Sequence, residues 1–145
     1  MKIIIANRNN IAEIIEQQQE PFAVIAISNP YPEPLNYNTR SNLYKGMLKL
    51  EFYDCDEKAM SDERLRYNSG HHRALLAFVD AMISIGVCNI IAHCDKGLHR
   101  SVAAAEIIRR VYLAKGMDVE IVNLPESFEP NQFMLSFLNG EELTN

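Results

Sequence analysis

Cys94 and Arg100 are separated by five residues, Asp95-Lys96-Gly97-Leu98-His99, with His93 before the cysteine and Ser101 after the arginine. A loop of that length can curl round one centre with its N–H groups pointing inward. The backbone of Asp95, Lys96, Gly97, Leu98 and His99 would then form a cradle for an anion. Arg100 adds a planar guanidinium fork that matches two phosphate oxygens. The same positive field favours thiolate over thiol at Cys94. A thiolate facing a bound phosphate monoester is a nucleophile aimed at phosphorus. Gly97 supplies a backbone angle that other residues avoid. Ser101 is placed to donate a hydrogen bond to the sulfur when it leaves in a second step.

The elements on either side of this loop must hold it in shape. Before it, Asn89-Ile90-Ile91-Ala92 reads as a buried strand, and after it Val102 to Ile108 opens a buried helix running to about Lys115, with Gly116 as its stop. A strand-to-helix loop brings the helix N-terminus and its free N–H groups to the same anion. Upstream, Lys2–Ala6 and Phe22–Ser28 are β-branched, apolar runs that read as strands, the second without a polar face, as in a sheet covered on both sides. Between them, Asn10 is a candidate cap for a helix to about Gln19, carrying Ile11, Ile14 and Ile15 on one face. Residues 29–44 hold three prolines and form a long loop, with room for a short helical turn. Met47–Phe52 reads as a third strand, followed by the acidic loop Tyr53–Glu57. A helix from about Ser69 carries Leu75, Leu76, Phe78, Val79, Met82 and Ile83 and ends at Gly86. Val119–Leu124 fits strand or helix, and a last helix after Pro130 bears Phe133, Met134, Phe137 and Leu138. This alternation predicts an α/β three-layer sandwich around a mostly parallel sheet of about four to five strands. The loop after Ala92 would lie at the carboxyl end of a strand, where such sheets bind ligands.

The segment from His93 to Ser101 resembles the signature of cysteine-dependent protein tyrosine phosphatases, His-Cys-x-x-Gly-x-x-Arg-Ser/Thr, and fills each of its fixed positions. The resemblance implies a phosphatase-like fold, with Cys94 as the nucleophile that forms a phosphocysteine. It implies that Arg100 binds phosphate and the transition state, that His93 orders the loop and tunes the thiol, and that Ser101 assists release. It also implies an aspartic acid on a separate upstream loop, which protonates the leaving oxygen and then activates water. Asp54 and Asp56 follow the third strand. Phe52-Tyr53-Asp54 is similar to the acid segment of dual-specificity members, which favours Asp54 and leaves Asp56 as the alternative. There is no Trp-Pro-Asp loop, since the chain contains no tryptophan. Pro130-Asn131, and the strand from Val24 running into Ser28-Asn29-Pro30, resemble the small bacterial and phage members. The latter stretch is expected to border the pocket.

Other reactive residues carry less. His71 and His72 precede a helix without a matching ligand cluster and read as surface or capping residues. Cys88 reads as core or near-core. Several relatives protect the nucleophile by a disulfide to a nearby cysteine, which by resemblance would pair Cys55 with Cys94 under mild oxidation. Lys96 would draw a more anionic substrate, such as a phosphoinositide or polyphosphate.

Length, at 145 residues, fits one phosphatase domain over 1–145. A net charge of −5 argues against a broad nucleic-acid-binding surface, and no apolar stretch is long enough to span a bilayer. Three cysteines do not suggest a disulfide framework, and the first residues have too short an apolar run for a secretory signal, so a cytoplasmic protein is expected. The sequence therefore predicts phosphate-monoester hydrolysis on a phosphorylated protein or peptide, at phosphotyrosine and also phosphoserine or phosphothreonine. No metal or other cofactor is called for, because Arg100 and the backbone supply the positive charge. The rival readings are a phosphate-binding module without turnover, or the same chemistry on a phosphoinositide or an RNA 5′ phosphate.

Overall fold

A computed structural model describes residues 1–54, 62–95, 97 and 99–140. The strands are β1 (Lys2–Ala6), β2 (Phe22–Ser28), β3 (Tyr44–Glu51), β4 (Asn89–His93) and β5 (Glu120–Val122). They form one sheet in the order β3-β2-β4-β1-β5, with every pairing parallel. The helices are α1 (Ile11–Glu16), α2 (Ser69–Ser84), α3 (Arg100–Ala114) and α4 (Gln132–Gly140). The architecture is the α/β sandwich the sequence predicts, with five strands.

Parallel strands need crossovers that cover both faces, so the central strands are apolar throughout rather than alternating. β2 is buried from Phe22 to Ile27, and β4 from Ile90 to His93. On one face α1 packs Ile11, Ile14 and Ile15 against Ile4, Phe22, Val24 and Ile91. On the other, α2, α3 and α4 close over Ile3, Ile25, Ile27, Ile90 and Ala92. Three consecutive alanines, Ala103 to Ala105, are fully buried in α3 and let its backbone lie close to the sheet.

Several boundaries differ from the sequence reading. α1 stops at Glu16, because Gln17, Gln18 and Gln19 bring no apolar side chain to the sheet. β3 begins at Tyr44 rather than Met47 and ends at Glu51, so Phe52 follows it. As an edge strand, β3 takes its start from pairing with β2 (Phe22 opposite Tyr44) rather than from its own side-chain pattern. Residues 29–43 contain no helical turn. Val119–Leu124 resolves into the three-residue edge strand β5. No helix among the described residues is long and apolar enough to cross a membrane.

The consequence for function is positional. Ala6 of β1 and Ala26 of β2 both stand in register with His93, so β4 delivers Cys94 to the carboxyl edge between two neighbours. Ile90 lies wholly buried in this strand. Ile90→Ala is expected to lower unfolding free energy by about 2–5 kcal/mol in urea denaturation, with the sheet's circular dichroism retained in the native state.

Candidate active site

The loop after β4 is fastened to the end of β1. Arg8 N–H donates to the Asp95 carbonyl at 3.2 Å. Gly97 has φ +69, and a Cβ there would sit 3.0 Å from the Ala6 carbonyl oxygen and 3.2 Å from Asn7 Cβ. Both the left-handed backbone and the lack of space demand glycine at this position. Lys96, Leu98, Cys55 and Asp56 lie outside the described residues, and with them the Cys55–Cys94 disulfide and the alternative acid.

Cys94 is buried at 3 % exposure, and its Sγ lies 3.2 Å from Ser101 Oγ. As a thiol the sulfur donates to the hydroxyl; as a thiolate it accepts from it. Ser101 is in the first turn of α3, so the helix start fixes its distance to the sulfur. The first N–H groups of α3 face no side-chain cap, and a helix end in that state favours an anion.

Arg100 is 6 % exposed. Its Nη1 donates to Asn29 Oδ1 at 2.9 Å and to the Phe52 carbonyl at 2.8 Å. Both partners are neutral, and among the described residues no carboxylate forms an ion pair with it. A buried cation without a counterion is costly in a folded protein. Among the described residues only dipoles stabilise it, and none of them takes its Nη2 and Nε donors, which leaves its charge and these donors to an anion in the cavity it lines.

His93 is buried beside Tyr37. Its Nε2 lies 2.7 Å from the Tyr37 hydroxyl, with the rings edge to face at 5.4 Å. Burial lowers the His93 pKa to about 4 and raises that of Tyr37 above the ordinary phenol range. The imidazole is therefore neutral near pH 7, the tyrosine keeps its proton, and one hydrogen bond joins the hydroxyl to Nε2. The long segment 29–43 is thereby tied to the base of the loop. Further ties run to Arg8, whose carbonyl accepts from Asn36 Nδ2 at 2.8 Å and whose guanidinium pairs with Glu33.

Asp54 is exposed and shares a cavity of about 300 Å³ with Cys94, Arg100, Asn29, Tyr53, Asp95 and His99. Its approach is set by Phe52, which is fully buried against the Tyr67 ring at 5.2 Å. Tyr67 in turn hydrogen-bonds His72 Nδ1 at 2.8 Å and meets Phe137 of α4 at 5.0 Å. His72 is thus a buried packing residue rather than a surface one. His71 does cap α2, its Nδ1 accepting from Asn68 N–H at 3.1 Å. Cys88 is partly exposed at the start of β4, outside the core.

The structure thus brings Cys94, Ser101, Arg100, His93, Gly97, His99, Asp95 and Asp54 to one carboxyl edge. Asn29, Tyr37 and Asn131 join them there, with Asn131 bonded to Asp54. Asn29 falls in the Ser-Asn-Pro stretch expected to border the pocket, but its role as a ligand of Arg100 had no signal in the sequence. The chain matches no protein-family model, no curated protein and no solved structure.

Because the native His93 binds a proton about 2.5 pH units below an unfolded histidine, the unfolded chain takes up more protons between pH 6.5 and 4. The contribution is full above pH 6.5 and lost as the pH falls towards 4. Urea midpoints are expected to fall over this window, and His93→Gln to flatten that part of the fall, by up to about 3 kcal/mol.

Proposed function

We propose that this chain hydrolyses phosphate monoesters through a phosphocysteine on Cys94, with phosphotyrosine in a protein or peptide as the substrate. One observation carries the reading. A buried Arg100 at the start of α3, with no carboxylate partner among the described residues, lines the same small cavity as Cys94 and Asp54. Anion, nucleophile and acid therefore have places around one centre.

The chemistry follows from the placement. The phosphoryl oxygens take the α3 and loop N–H groups and the free donors of Arg100. Cys94 Sγ attacks phosphorus, forming the S–P bond as the P–O bond to the leaving group breaks. Asp54 gives its proton to the departing oxygen. In the second step water attacks phosphorus, Asp54 takes the water proton, and Sγ leaves as thiolate accepting a hydrogen bond from Ser101. The positive charge that a metal would bring to such a reaction is here supplied by Arg100 and the helix start.

An aryl substrate is favoured by the larger cavity of about 520 Å³ next to Cys94, lined in part by Tyr31, Pro32, Pro34, Leu35 and Tyr37. Segment 29–43 thus supplies a wall beside Cys94. A phosphate-binding module would need no acid, and the placement of Asp54 favours turnover over that alternative.

Hydrolysis of 4-nitrophenyl phosphate in EDTA, under reducing conditions, tests the reading. The parent should turn over, Cys94→Ser should abolish turnover, and Asp54→Ala should lower kcat by roughly 10²-fold or more. Asp56→Ala should have the smaller effect. A phosphotyrosine peptide should be cleaved faster than its phosphoserine counterpart. Turnover that survives Cys94→Ser, or an inactive parent, would overturn the proposal.

A further inference from the structure

Asn131 stands where three chain segments meet at the candidate site. Its backbone N–H donates to the His99 carbonyl at 3.1 Å, which ties it to the signature loop. Its side-chain Oδ1 accepts from Met134 N–H at 2.9 Å, capping α4. Its Nδ2 donates to Asp54 Oδ1 at 2.7 Å, across 77 residues of sequence. The orientation of the amide is settled by its partners. A backbone N–H only donates, so it must meet the oxygen, and the carboxyl group is left with the NH₂. A second bond strengthens the same junction. His99 Nδ1 lies 2.7 Å from the Glu129 carbonyl, and because a carbonyl only accepts, Nδ1 carries the proton. The stretch 129–131 is thus held to His99 at two points, and Asp54 is held to that stretch.

Asp54 needs such a tether. It is exposed and lies beyond the end of β3, so no strand pairing fixes its side chain. A general acid must keep its proton within hydrogen-bond reach of the leaving oxygen. It must also present the right carboxyl oxygen, since Oδ1 and Oδ2 point in different directions. With Oδ1 occupied by an amide donor, a proton on the carboxyl group belongs on Oδ2. The rigid start of α4, itself bonded to the nucleophile's loop, would then set where that proton stands relative to Cys94.

We infer that Asn131 is the positioning residue for the acid: it holds Asp54 Oδ1 against the start of α4, so that Oδ2 carries the proton delivered to the leaving group. The inference rests on the phosphatase reading above and assigns to Asn131 a function beyond capping a helix. It predicts a dependence on the leaving group that a purely structural residue would not produce. Expulsion of a basic leaving group needs the proton in the transition state, while a good leaving group departs without much help.

The test compares phenyl phosphate with 4-nitrophenyl phosphate in the parent, Asn131→Ser, Asn131→Ala, Asp54→Ala and the Asn131→Ser/Asp54→Ala double variant. Serine is a good helix cap and can still accept from Met134 N–H, but it is too short to reach Asp54. Asn131→Ser should therefore keep the parent Tm. Its kcat/KM, which reports formation of the phosphoenzyme and not the later attack of water, should fall about tenfold on phenyl phosphate, a part of the roughly 10²–10⁴-fold that general acid catalysis supplies, and change little on the nitrophenyl ester. In the Asp54→Ala background the serine should cost nothing further. Equal losses on both esters, or no loss in Asn131→Ser, would overturn the inference while the phosphatase reading stands. An Asp54→Ala variant as active as the parent would do the same, and would move the acid elsewhere. Turnover independent of Cys94 would instead remove the reading on which the inference rests.

Discussion

The turn at Gly97 has to pass within contact distance of the last carbonyl of β1, and the loop after Cys94 depends on that close approach. A Cβ at this position would meet the Ala6 oxygen at 3.0 Å, and the backbone there is left-handed. The parallel register of β1 and β4 sets up the approach by placing Ala6 level with His93. The Arg8–Asp95 backbone bond then holds the two strand ends together beyond the sheet. An antiparallel neighbour would bring a strand start, with its N–H groups and a different direction of travel, to this edge. The all-parallel sheet and its central strand thus do the first part of the work of the site: they deliver a cysteine, a helix start and two flanking strand ends to one place.

The second part is the treatment of charge. Arg100 is buried with neutral partners, an arrangement that costs stability unless an anion completes it. One of those partners, the Phe52 carbonyl, belongs to the segment that leads to Asp54, and the Phe52 ring anchors that segment in the aromatic group of Tyr67, His71 and Phe137. Phe52 therefore bears both on Arg100, through its carbonyl, and on the segment that leads to Asp54, through its ring. His93 is handled in the reverse sense. Burial keeps it neutral near pH 7, so the positive charge near Cys94 comes from Arg100 and the helix start and not from an imidazolium. His93 consequently stays neutral well below pH 6.5 and takes up its proton only as the pH falls towards 4.

Much of this was legible in the chain. β1 and β2 appear with the bounds that their apolar, β-branched runs suggest, and the contiguous run from His93 to Ser101 falls between a strand and a helix, as its flanking residues suggest. What could not be read depends on distant pairing. Asn29 meets Arg100 across 71 residues, Tyr37 meets His93 across 56, and Asn131 meets Asp54 across 77. An asparagine or tyrosine in a polar loop carries no periodicity, and only the folded sheet brings its partner near. The same limit applies at the edges. β3 and β5 take their bounds from pairing with β2 and β1 rather than from their own patterning. His72 looked like a surface residue because its neighbours in sequence are polar, whereas its burial comes from Tyr67 and from Phe137 of α4.

On the proposed function, Cys94 carries the phosphoryl group during turnover. Acid quenching of the protein during hydrolysis of an aryl phosphate, followed by peptide mapping by mass spectrometry, tests this most directly. Asp54→Ala should raise the trapped fraction, because it slows the attack of water on the phosphoenzyme. One phosphoryl group is expected on the peptide that contains Cys94, and none in Cys94→Ser. A phosphoryl group on any other residue, or rapid turnover with Cys94 unmodified throughout, would contradict it.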